Sequence, residues 1–116
     1  MQDEYVTFET AKLLKEKGFN EHLSIFYTDD KNIRFDSRGV DNYGECFVAP
    51  TLQMAMKWLR EEHNIFIGIL YNESEVYTYT WSVLWIGKRQ HPTFGFCNDY
   101  GEAVEAAIKY CLENLI

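Results

Sequence analysis

The chain has 116 residues, 47% of them hydrophobic and 25% charged, with a formal net charge of −7. That length supports one core rather than two, and the composition is that of a globular protein rather than a disordered one. The acidic balance works against non-specific adhesion to nucleic acid or to an anionic membrane, and no apolar run approaches the roughly 18 residues of a membrane helix. The start, Met1-Gln2-Asp3-Glu4, is acidic where a signal peptide is basic, so a cytoplasmic protein is expected. Three cysteines, Cys46, Cys97 and Cys111, form no C-x-x-C or Cys/His zinc spacing and read as free thiols of a reducing compartment.

Thr7 to Lys17 predicts a helix capped by Thr7. Ala11, Leu14 and the stem of Lys15 lie on one face, and Gly18 ends the helix so that Phe19 packs back on Leu14. Leu23–Tyr27 and Asn32–Phe35, joined by Thr28-Asp29-Asp30-Lys31, predict a short hairpin. Asp36 to Val48 has no clear period and reads as loop, with at most one short strand at Cys46–Val48. Thr51 to His63 predicts a second helix with Leu52, Ala55, Met56 and Leu59 inward and Asn64 as its terminator.

Ile65 to Tyr71 is almost wholly apolar, as expected of a strand buried on both faces. Asn72-Glu73-Ser74-Glu75 turns the chain into Val76–Ile86, the strongest strand signal, with Tyr77, Tyr79, Trp81, Val83 and Trp85 on one face and Thr78, Thr80 and Ser82 on the other. A polar link, Gly87 to Pro92, leads to a shorter strand, Thr93–Cys97. The last helix opens on the Asp99-x-x-Glu102 capping signal. It carries Val104, Ala107, Ile108, Cys111 and Leu115 on its apolar face and a Glu105–Lys109 pair outside. The expectation is a single compact α+β domain over residues 1–116, an antiparallel sheet with packed helices in the order α-β-β-α-β-β-β-α.

Four constellations bear on function. Thr93-Phe94-Gly95-Phe96-Cys97 resembles the middle of the RNP1 strand of an RNA-recognition motif, whose aromatics stack bases. Here Pro92 and Thr93 stand where that motif begins with a basic residue and glycine. Thr51 to Ile116 is similar in order and length to a double-stranded-RNA-binding domain, but Asn98-Asp99-Tyr100-Gly101-Glu102 replaces the lysines that grip phosphate. Tyr77, Tyr79 and Trp81, with Lys88 and Arg89 beyond them, form either a binding platform with a cationic edge or simply the core face of the central strand. Cys46, beside a loop, with His63 or His91 brought near by folding makes a candidate thiol nucleophile and base.

No H-E-x-x-H, G-x-S-x-G, P-loop or G-x-G-x-x-G pattern occurs, and Asp29, Asp30, Asp36 and Asp41 lack calcium-loop spacing. No catalytic residue, metal site or cofactor is therefore assigned.

Three segments carry a wider resemblance. They are Glu9-Thr10-Ala11-Lys12-Leu13-Leu14-Lys15-Glu16-Lys17-Gly18-Phe19, the stretch from Ala49-Pro50-Thr51-Leu52 to Lys57-Trp58-Leu59-Arg60-Glu61, and the alanine-bearing final helix. In this order they resemble small proteins of phage and prophage regions in gut bacteria of Bacteroidetes type, a group with no assigned activity. The resemblance implies an accessory protein of mobile elements and transfers no activity to any residue. The expected function is a non-enzymatic interaction module that binds another protein or itself, with nucleic acid disfavoured and a membrane excluded. The alternatives are nucleic-acid binding through the aromatic strand face and, third, a Cys46-centred hydrolase or transferase.

Overall fold

A computed structural model describes residues 4–21, 23–35, 45–71, 78–87 and 93–116. Its elements are α1 (Phe8–Glu16), β1 (Ile25–Thr28), β2 (Ile33–Phe35), β3 (Cys46–Val48), α2 (Leu52–His63), β4 (Ile65–Tyr71), β5 (Tyr79–Trp85), β6 (Thr93–Cys97) and α3 (Tyr100–Asn114). The α+β class and the element order follow the sequence, with six strands in place of five because β3 forms. The strands make two three-stranded antiparallel sheets rather than one, ordered β2-β1-β3 and β4-β5-β6. The residues cluster into two compact units, Met1–Thr51 and Leu52–Ile116, each holding one sheet.

In the first unit, α1 is set by its ends. The Thr7 hydroxyl accepts from the Thr10 amide at 3.4 Å, relieving one of the amides a helix start leaves unbonded. At the other end Gly18 takes φ +99°, and the amides of Phe19 and Gly18 donate to the carbonyls of Leu14 (2.9 Å) and Lys15 (3.3 Å). This is the Schellman closure, with Phe19 and Leu14 both buried as its apolar contact requires. Phe8 meets the Tyr27 and Phe47 rings edge-on at 5.8 and 5.4 Å, seating α1 against β1 and β3. The Lys15 ammonium stands over the Phe47 ring, 4.9 Å from its centroid, and donates to the Cys46 carbonyl at 3.1 Å. The β1–β2 hairpin begins two residues later than its sequence signal, at Ile25, and turns through Lys31 at φ +67°.

The second unit is the run α2-β4-β5-β6-α3. Strands follow one another as a meander, so each pairs with its chain neighbour. Asn64, in the left-handed region at φ +56°, ends α2 and turns directly into β4, as the sequence anticipated. At α3 the Asp99 carboxylate accepts from the Glu102 amide at 3.0 Å. Leu112 is fully buried, whereas Leu115, expected on the apolar stripe, is half-buried beyond the helix end; Lys109 pairs with Glu113 at 3.9 Å. The buried layer comprises Leu52, Ala55 and Leu59 of α2, Ile65, Ile67 and Val83 of the sheet, and Ala103, Val104, Ala107, Ile108, Cys111 and Leu112 of α3.

Both helices lie on the same face of this sheet. Trp81 meets Tyr110 of α3 at 5.8 Å, the Trp85 indole donates to the His63 carbonyl at 2.9 Å, and α2 and α3 touch one another. The register pairs Ile65 with Trp85, Ile67 with Val83 and Ile69 with Trp81, so the odd-numbered residues of β4 and β5 form the helix-facing side.

Candidate functional site

The opposite side of the same sheet is the most distinctive surface of the described residues. Register places Phe66 beside Leu84, Gly68 beside Ser82 and Phe94, and Leu70 beside Thr80 and Phe96. Phe66, Leu70, Leu84, Phe94 and Phe96 are each 48–65% exposed. Phe94 and Phe96 stand edge-to-face along β6 with centroids 5.7 Å apart, forming a continuous ridge. Beside it on β5 stand the short side chains of Ser82 and Thr80, with Leu84 further along the same strand, and on β4 Gly68 lies between Phe66 and Leu70. A Cβ at Gly68 would stand 3.1 Å from the Ser82 hydroxyl. Among the described residues this face carries no charged side chain.

An apolar side chain of this size offers 150–250 Å2 when aromatic, so five at about half exposure present about 500 Å2. That is at the upper end of what a monomeric protein leaves open, and patches of that size commonly mark contact surfaces. A single exposed apolar residue elsewhere, such as Phe35, whose ring meets Tyr5 edge-on, needs no such account.

The sequence-level site residues fall elsewhere. Tyr79 and Trp81 lie on the helix-facing side of β5, where Tyr79 meets Tyr100 at 5.9 Å and Trp81 meets Tyr110. Trp81 also lies across Gly95, where an added Cβ would approach the indole to 2.5 Å. These rings are half-buried packing against α3, which is the core-face alternative that the sequence left open. Tyr77, Lys88 and Arg89 lie outside the described residues, as do His22, His91, Asp36 and Asp41.

The expectation that β4 is buried on both faces is corrected. Its odd residues Ile65 and Ile67 are buried while Phe66 and Leu70 are exposed, because both helices take the same side of the sheet. An apolar run read from sequence does not distinguish two buried faces from one buried face and one apolar open face. The missed signal was the combination of Phe66 and Leu70 with Phe94 and Phe96, all at positions of one parity once the register is known.

All three thiols are shifted upward, away from thiolate character. Burial pushes Cys46 up, outweighing the lowering pull of Lys15, and burial likewise raises Cys97, with Glu102 and Asp99 adding to the effect. Cys111, inside α3's apolar stripe, is pushed up to about 12 by burial. A reactive cysteine needs the reverse shift. His63 belongs to the second unit, its ring packed 4.7 Å from Trp58. Among the described residues no three of His, Cys, Asp and Glu gather as a metal would require, and no buried side-chain nitrogen or oxygen lacks a hydrogen-bond partner. Among them, too, no helix is long and apolar enough to cross a membrane.

Comparison with known proteins finds no matching family model, no curated relative and no solved structure of significant similarity.

Proposed function

We propose that this chain is a protein-interaction module that works by non-covalent contact through the outer face of β4-β5-β6, without chemistry of its own. One observation carries the reading. Five large apolar side chains stand exposed on one side of a sheet whose other side is already covered by two helices. A sheet face that faced only water would alternate apolar-in with polar-out, yet here both parities of β4 are apolar. Cys46, Cys97 and Cys111 form no disulfide with one another, which fits a cytoplasmic setting, and an accessory role fits the phage and prophage proteins that the sequence resembles.

Nucleic-acid binding is the second reading, because Phe94 and Phe96 do point outward as base-stacking rings would. Against it, the described part of the face has no cation to meet phosphates, and the chain is acidic.

The test is site-specific photo-cross-linking in the protein's native cells. A photoreactive residue at Phe94 or Leu84 is expected to join to protein, while one at Gln53, exposed on α2, is not. Cross-links to nucleic acid, or none from either face position, would refute the proposal.

A further inference from the structure

Resting on that contact-surface reading, we infer that the occupant of the outer face of β4-β5-β6 is a second copy of the same chain, paired face to face about a two-fold axis. Three features converge on a copy rather than a different partner. The first is area. Two faces of about 500 Å2 of apolar side chain bring about 1,000 Å2 together, the lower bound for a biological interface, and a polar rim adds to it toward the roughly 1,200–2,000 Å2 of a stable one.

The second is shape. A two-fold interface is isologous, so one surface must carry both the projection and the recess that receives it. This face does: the Phe94–Phe96 ridge on β6 runs beside the short side chains of Ser82 and Thr80 on β5. Turning a copy over seats each ridge on the other's short side chains, with two sheets stacked at the roughly 10 Å spacing of a sandwich.

The third is charge. A chain of net charge −7 repels its own copy wherever carboxylates come opposite one another. The described residues of this face contribute none, so pairing here buries no like charges. A basic partner would instead be expected to meet an acidic face.

The experiment is sedimentation of the full chain from micromolar to millimolar concentration, for the wild type and for Phe94→Glu, Leu84→Glu and Gln53→Glu. All three variants add the same charge; the first two place it on the face and the third on exposed α2. The wild type is expected to show a monomer–dimer equilibrium that stops at two. The two face variants are expected to weaken it by about a hundredfold or more, since each puts two like charges into one apolar contact. Gln53→Glu is expected to leave it unchanged. Far-ultraviolet circular dichroism of each variant separates a lost contact from a lost fold, which positions this exposed are not expected to suffer.

A wild type that stays monomeric at millimolar concentration overturns the self-pairing and leaves the contact-surface reading to its own cross-linking test. A dimer indifferent to both face variants, or a ladder of larger species, overturns it as well.

Discussion

At the scale of single residues, Gly95 and Trp81 act as one unit. The indole occupies the space above the glycine, so that a Cβ would come within 2.5 Å of it, and the half-buried ring then reaches Tyr110 of α3. Gly95→Val is therefore expected to displace Trp81 and destabilise the chain by about 1–3 kcal/mol, the range for forcing atoms into a filled site. Gly68→Ala is the comparison. Its Cβ meets only the Ser82 hydroxyl, at 3.1 Å, which can rotate away, and the cost is expected to stay within about 1 kcal/mol. Urea unfolding of both variants by tryptophan fluorescence measures the difference.

Asp30 gives a second residue-scale outcome. Its carboxylate accepts from the Thr28 hydroxyl, the Asn32 amide (3.1 Å) and the Asn32 side chain (2.9 Å), with Arg34 3.6 Å away. Those hydrogen bonds, the one from Thr28 foremost, lower its pKa from 3.8 to about 2. A depressed folded value means that the turn is stabilised above about pH 4 and loses that stabilisation as pH falls through about 2. Carbon-detected NMR should find the Asp30 carboxyl titrating near 2, and a midpoint near 4 would show that the turn's hydrogen bonds do not form in solution.

At the scale of elements, the helices are held by local chemistry, and for that reason they are legible in the sequence. Thr7, Gly18, Asn64 and Asp99 each act within a few residues of where they stand, so cap and stop follow from chain neighbours alone. Gly18→Ala, at φ +99°, is expected to cost about 1 kcal/mol or more. Asp99→Ala, which orphans the Glu102 amide, is expected to cost about 1 kcal/mol as well. Thermal unfolding of the two variants checks both figures.

Strand faces are a different matter. That Val76–Ile86 carries a bulky side and a hydroxyl side is plain from its residues, but which side meets the helices depends on long-range packing. The hydroxyl side, Thr80 and Ser82, forms the floor of the exposed surface, while Tyr79 and Trp81 pack on α3. Phe66 and Leu70 are hidden from a sequence reading for the same reason: an apolar strand announces burial, and only the one-sided placement of α2 and α3 shows that half of it faces out.

At the scale of the whole molecule, charge and apolar surface oppose one another, and ionic strength and pH separate their contributions. Two copies at −7 repel at long range, while the described part of the face through which they would join bears no charge. Added salt screens the repulsion within a Debye length of about 10 Å at 0.1 M and leaves the apolar contact intact, so self-association is expected to tighten as salt rises. Lowering pH from 7 toward the sequence pI of about 4.9 removes the repulsion by protonation and should act in the same direction.

Binding to an oligonucleotide has the opposite sign, because counterion release makes it weaken with salt. One salt series with sedimentation as readout, run on the chain alone and with an oligonucleotide added, thus separates the two readings. A dimer that loosens as salt is raised would mean that ion pairs hold it, and ion pairs cannot come from Phe66, Leu70, Leu84, Phe94 and Phe96. The contact would then have to lie elsewhere on the chain.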